Sequence, residues 1–532
     1  MHDFKHRFYR EHHPHRAHQQ LALHLVSSLR DRLVPARIAL CLIRVIYNHG
    51  LSIANTSTTV GALLQLAETH ESAANQGSLQ ESQTTPSQPA QRSSRFAGKS
   101  LSRAISSATI AAGLLAAGCG NNYRPVVTAI SPVGPAGQPT KYAVAISDPN
   151  LGAANGTLPG LITFVDFSGD TVLITANIGV KPYYLILNAS GGTAYTLNGD
   201  GTVNSVPIST AVISSSVSQT TLLTDPAPNA ASIFPQGTYT YITQPGRSSI
   251  AELTGSPLTL QQELAPVGPS PIYIAGVASA PRVYALSPSA TAGAAGTATP
   301  IEVTTNTPEG SLPVGINPIY GVMTADARRA FIMNEGSNNV TVINAQNNQL
   351  DAGVTNGTIQ DPAAVAPIWA DFAPTLNEIL VANAGNGGNG SVSIFSIPLC
   401  SAASQPTNPN CNVNNPIDAA GFGNLVANIP VGKNPIMVAA LQDGTQAYVI
   451  NQGDSTVSVI NLATNTVTAT IDVHTTTPNP TFVAATTGTP TGKVYVTSKT
   501  SKDMTVIRTD TNAVDTTIPL QGYGMQVRVT AP

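Results

Sequence analysis

The 532-residue sequence predicts an all-β protein, a single β-propeller of four-stranded antiparallel blades, eight by repeat count. Three observations predict it. One phrase recurs, an alternating apolar strand, a polar turn and a second alternating strand, as in "RRAFIMNEGSNNVTVINAQNNQL", "QAYVINQGDSTVSVINLATNTVTATIDV" and "KVYVTSKTSKDMTVIRTDTNAVDTTIPL". The phrase returns at near-constant spacing. Beyond residue 118 the chain is rich in Ala, Thr, Val, Asn, Gly and Pro and poor in charge, a composition suited to strands and turns.

The chain begins with a different polymer. Nine of the ten histidines lie at or before His70, and twelve of the 25 Lys and Arg precede Cys119. Residues 1–90 run from a basic, His-rich stretch to a Ser/Gln/Pro tract with no hydrophobic face, which reads as a disordered extension. His12, His13, His15 and His18 read as part of a solvated basic tail rather than a metal site. "LVPARIALCLIRVIYNHG" is broken by Pro35, Arg37 and Arg44, so it falls short of the roughly 20 apolar residues that cross a bilayer.

Residues 91–118 carry a secretory-signal pattern, with the basic "RSSRFAGKSLSR" followed by the apolar "AISSATIAAGLLAAG". Cys119 ends the run after Ala116-Ala117-Gly118, a partial lipobox, and makes it the expected lipidation site, with residues 119–125 as tether. Gly120 after the cysteine is, by resemblance to enteric lipoproteins, compatible with the outer membrane. The position of this signal, more than a hundred residues in, implies that residues 1–90 are an over-extended gene start.

Residues 126–532 hold the repeats. The strands that precede a polar turn begin at residues 141, 193, 238, 282, 329, 378, 446 and 493. Their intervals are 44 to 52 residues, except for 378 to 446, which contains an insertion at about 396–425. Four short strands and their turns fill such a period. A seven-blade ring follows instead if the weakest phrase, around 141–180, is not a full blade. The terminal "GMQVRVTAP" alternates but has no partners of its own, so it is expected to join the first blade and close the ring. Between blades, "PVGPSP", "PVGINP" and "PVGKNP" recur at 266–271, 313–318 and 430–435. They read as punctuation, the glycine turning the backbone and the proline fixing φ before the next strand.

The phrases over 310–532, together with the "PVGxNP" joints, resemble the YVTN-repeat (YncE-like) β-propellers. Over 124–300 the resemblance is thin. It implies a propeller, whose usual form in that family has seven blades.

Residues 119–532 carry 13 Lys and Arg against 22 Asp and Glu, a net charge of −9, which excludes nucleic-acid binding through clustered cations. They contain one histidine, His474, so a His/Cys metal site and a Ser-His-Asp hydrolase find little support. No cofactor and no metal ligand set is implied. Cys400 and Cys411 bracket the polar loop of the insertion and are expected to form a disulfide. The turns after the second strands and the joints should share one face around the channel, gathering Asn317, Asn334, Glu335, Asn383, Asn434, Asn451, Asp454 and Ser498, with Arg329 of the Arg328-Arg329 pair nearby.

The function these features favour is non-enzymatic: a monomeric lipoprotein, anchored to the cell envelope, whose propeller binds a protein, peptide or glycan. The alternative is a lactonase-like or other hydrolytic propeller with a carboxylate-held metal in its channel. Three or more convergent channel carboxylates would favour the enzyme; a lining of Ala, Val and Thr would disfavour it.

Overall fold

The computed structural model describes residues 141–532, apart from 154–155, 209–217, 222–229, 400–418, 489–490 and 531–532. The extension, the signal, Cys119, Cys400 and Cys411 therefore lie outside the described residues. Eight antiparallel sheets follow one another as the blades of a propeller. Blade 1 is composite: Tyr142–Asp148, Gly160–Asp166 and Thr171–Ile178 come from the start of the ring, and Tyr523–Val529 from its end. The innermost strands of blades 2 to 8 are Pro182–Leu187, Ile233–Gln236, Tyr273–Ala275, Pro318–Met323, Pro367–Ala373, Pro435–Ala440 and Phe482–Thr486. The strands counted in the sequence are the second from the axis in every blade, so the repeat count of eight stands. The insertion separates Asn389–Ser396 from Leu425–Lys433, the third and fourth strands of blade 6.

Burial explains the sequence pattern of each position. A second strand is covered by neighbouring blades on both faces, and in Gln446–Asn451 every residue after the first is buried. The outermost strand of the same blade, Thr466–Asp472, alternates threonine with apolar residues and has exposed positions between partly covered ones. The apolar clusters are layers between adjacent sheets, such as Leu380, Ala382, Val392 and Ile394 of blade 6 against Val438, Ala447 and Val449 of blade 7. The terminal strand pairs antiparallel with the first, from Ala143 opposite Val529 to Asp148 opposite Tyr523. That closes the ring and hides two edges that would otherwise be unpaired.

A tyrosine in the third position of the second strand ties one blade to the next. Its buried ring places the hydroxyl on the turn between the third and fourth strands of the following blade. Tyr284 donates to Asn348 Oδ1 at 3.3 Å, Tyr448 to Asn512 Oδ1 at 2.8 Å, and Tyr241 to Asn306 Oδ1. Tyr495 reaches Asp170 Oδ1 at 3.5 Å, the same stitch made across the closure. All four acceptors have left-handed backbone, with φ between 50° and 55°, a conformation that Asn and Asp tolerate best among side-chain-bearing residues.

The joints work differently from the sequence expectation. The residue directly before the joint proline carries the positive φ: Lys181, Ser270, Asn317, Ala366, Asn434 and Asn479, at 47° to 58°. Gly315 and Gly432 have no such torsion. They are glycine because an asparagine side chain lies against them: a Cβ on Gly432 would stand 2.7 Å from Asn451 Cγ, and one on Gly315 would stand 2.6 Å from Asn334 Cγ.

Candidate functional site

The joint sets up the channel. After the proline, the innermost strand carries a register shift, between Pro182 and Tyr184, Pro318 and Tyr320, Pro367 and Trp369, and Pro435 and Met437. One extra residue enters each strand there, and such a bulge re-aims the side chain that follows it. The residue two places after the proline is large each time: Tyr184, Tyr320, Trp369 and Met437, with Tyr273 and Phe482 at the same offset from Pro271 and Pro480. A common offset from a common joint puts these side chains at one height.

They form a belt. Tyr273 and Tyr320 have ring centroids 4.8 Å apart, and Tyr320 stacks on Trp369 at 3.9 Å with an interplanar angle of 18°. Trp369 meets Phe482 edge-on at 5.9 Å. The Arg528 guanidinium lies 4.5 Å from the Phe482 centroid. On the other side, the hydroxyls of Tyr184 and Tyr273 come within interacting range, as do those of Tyr273 and Tyr320, and Arg528 acts electrostatically on Tyr184. Six blades thus contribute to one belt, Arg528 reaching Tyr184 through its charge. Met437 stays out of it, its sulfur accepting the Val483 N–H at 3.5 Å.

Two polar clamps fix the belt to the inner strands. Gln526 accepts the Leu185 N–H at 2.8 Å, and Arg528 Nε donates to the Leu185 carbonyl at 3.2 Å, so the closing strand grips blade 2 through both backbone groups of one residue. Asp371 accepts the N–H of Phe372 and, from blade 7, that of Ala440, both at 2.9 Å. Burial raises the Asp371 carboxyl to about 6, against the pull of those two amides and of Arg528. Burial likewise lifts the hydroxyls of Tyr184, Tyr273 and Tyr320 above the ordinary tyrosine range, with Arg528 opposing. They remain protonated and serve as hydrogen-bond donors. At the belt, the channel is lined by aromatic rings rather than by small aliphatic side chains. Among the described residues no group of three or more His, Cys, Asp or Glu is placed to hold a metal.

The turn residues expected to form a binding face do gather at the joints, but their polar atoms serve the fold. Asn334 accepts the Gly315 N–H at 3.1 Å and donates to Thr341 at 2.8 Å; Asn451 does the same with Gly432 at 3.1 Å and Ser458 at 2.8 Å. Asn317 donates to Glu335, Asn434 donates to Gln452, and Asp454 accepts the Lys433 N–H. Asn383 donates to Ser393, and Ser498 donates to Asn479 O. Arg329 does not belong to this face. It begins its strand at the end opposite the Asn334 turn, is 1% exposed, and pairs with buried Asp351. His474 is exposed in a joint, its backbone N–H held by Asp472.

No protein-family model matches the chain, and no curated protein sequence matches it significantly. Solved structures do. The apo form of AztD from Citrobacter koseri is similar at TM-score 0.48 and 11% identity, over 73% of this chain and 97% of that one. Dihydro-heme d1 dehydrogenase NirN, in complex with DHE, is similar at TM-score 0.53 and 10% identity, over 75% of this chain and 77% of that one. A functionally unknown protein from Desulfotomaculum acetoxidans is similar at TM-score 0.43 and 13% identity, over 74% and 99%. Identities this low speak to the fold alone: the chain is an eight-bladed β-propeller.

Proposed function

We propose that the protein is a monomeric cell-envelope lipoprotein of the YVTN-repeat kind, held by a lipid on Cys119, whose channel binds a protein, peptide or glycan ligand without transforming it. The observation that carries the binding reading is the aromatic belt. Stacked Tyr320 and Trp369, tilted Tyr273 and the face-covered Arg528 offer flat apolar surface, protonated hydroxyls and one cation. These groups hold a ligand by stacking and hydrogen bonding. The hydrolytic alternative needs several carboxylates placed to hold a metal, and Asp371 at the belt has both oxygens turned onto backbone N–H groups.

The anchor rests on sequence alone: a basic n-region, an apolar h-region, small residues before Cys119 and the polar leash "GNNYRP". Residues 119–125 then form the tether and 126–532 the propeller, with Cys400 and Cys411 bridged in its insertion. Expressed in bacteria, the wild-type chain should incorporate labelled fatty acid and fractionate with membranes, the outer membrane in a two-membrane cell. Cys119→Ser should do neither; a wild-type chain without lipid sinks the anchor. For the channel, envelope extract passed over immobilised protein should yield a ligand that Trp369→Ala fails to retain. Equal retention by wild type and variant would overturn the channel as the site.

A further inference from the structure

Arg528 has more hydrogen-bonding capacity than the fold uses. Its Nε donates to Leu185 O, and its plane lies on Phe482. Its two terminal amino groups meet no hydrogen-bond or ion-pair partner among the described residues. Asp371 attracts it but forms no ion pair with it, because the carboxylate is turned onto the Phe372 and Ala440 amides. The belt thus presents a cation while Asp371, which interacts with it, faces the wall. Arg528, Tyr184, Tyr273, Tyr320 and Trp369 all keep part of their surface exposed. A guanidinium already held at Nε and by a ring is pre-organised, and it matches a carboxylate with two parallel donors.

We infer that the belt binds a carboxylate borne on a flat apolar body, the carboxylate on the Arg528 amino groups and the body against Trp369 and Tyr320. Two sources share this chemistry, a free aromatic acid and the C-terminus of a peptide that ends in an aromatic residue. The inference rests on the reading of the channel as a binding site and adds the charge of what enters it.

Trp369 is the only tryptophan in the chain, so its emission reports on the belt directly. The full-length protein is titrated with phenylacetate and, separately, its neutral isostere phenylacetamide. A second pair is acetyl-Gly-Gly-Phe with a free or an amidated C-terminus. The expected result is a saturable change in emission with the acid of at least one pair, roughly tenfold tighter than with its amide. Preference in the first pair alone identifies a free acid, and in the second alone a peptide end. Arg528→Gln should erase the preference, and circular dichroism and thermal melting verify that the fold survives loss of the Leu185 bond and of the cover over Phe482. Equal binding of acid and amide, or a preference that survives Arg528→Gln, overturns the inference and leaves the channel reading standing. No response to any of the four probes overturns the inference too, while ligand retention from envelope extract tests the channel reading separately.

Discussion

Lys493 in blade 8 places its ammonium 2.6 Å from the Asp170 carboxylate in blade 1, across the seam where the ring closes. The same ammonium donates to the Phe167 carbonyl at 2.6 Å and sits 5.1 Å from the Phe167 ring, whose centroid also lies 5.4 Å from the Lys141 ammonium. The pair is nearly enclosed, with side-chain exposures of 6% and 12%. Burial raises the Asp170 carboxyl in spite of Lys493. Asp170→Asn strands a buried ammonium and should cost about 2–3 kcal/mol, and adding Lys493→Met should recover part of the loss. Denaturant titration of both variants tests this, with Asp326→Asn at the exposed Arg328 pair as a control that should move stability by less than about 0.5 kcal/mol.

The tyrosine stitches should be separable into hydroxyl and ring. Tyr448→Phe loses only the bonds to Asn512 at 2.8 Å and Gln446 at 2.6 Å, a change of about 1 kcal/mol. Tyr448→Ala also empties a fully buried site between blades 7 and 8 and should cost about 3–5 kcal/mol. Equal losses in urea unfolding would mean that the ring contributes nothing, contrary to its 0% exposure.

Gly432 and Asn451 should be coupled. An alanine at 432 meets Asn451 Cγ and Asp454 Oδ2, each at 2.7 Å, so Gly432→Ala alone should destabilise by about 1–3 kcal/mol. Asn451→Ala removes the joint's hydrogen bonds and should cost about 1–2 kcal/mol. The double variant should lose less than the sum, because the second change removes the Asn451 Cγ contact and leaves only those with Asp454 Oδ2 and the residue-451 Cβ. Strict additivity in a double-mutant cycle would contradict the packing role assigned to the glycine.

Asp371 gives the channel a pH signature. Its folded value of about 6 lies above the ordinary 3.8, so the folded protein holds the extra proton between those two pH values. The stabilisation from that proton is present in acid and is lost as pH rises through about 6. The stability difference between wild type and Asp371→Asn should therefore fall by on the order of 2 kcal/mol between pH 4 and pH 7, the full shift being discounted for the carboxyl's partial exposure to the channel. Arg528 and Tyr320 are the other groups that act on it. A flat difference curve would place the carboxyl in ordinary solvent.

The repeat was legible because each blade must bury both faces of its second strand, which leaves unbroken runs such as "AYVIN" at a fixed period. The closing strand was legible because an alternating segment with no neighbour must find an edge. The belt was missed, although "PIY", "PIY", "PIW" and "PTF" stand in plain view at 271, 318, 367 and 480. A bulge that aims the third residue inward is a property of strand register, which neither the turns nor the prolines before it spell out. Arg329 misled for a related reason. Beside Arg328 it looks like surface charge, and its partner Asp351 lies on the outer part of the same blade, 22 residues on.

The composite first blade also sets an order of events during synthesis. Tyr142 donates its N–H to Thr530, 388 residues away, so the innermost place beside Tyr142–Asp148 stays vacant until Tyr523–Val529 has been made. Blades 2 to 8 can assemble as they emerge, but the nascent chain carries one unfinished edge until that strand is made, and Arg528 reaches the channel only with it. A ribosome that stops early leaves a molecule with seven finished blades, a sticky edge and no guanidinium in its belt. Closure of the ring and competence of the channel are thereby made the same event.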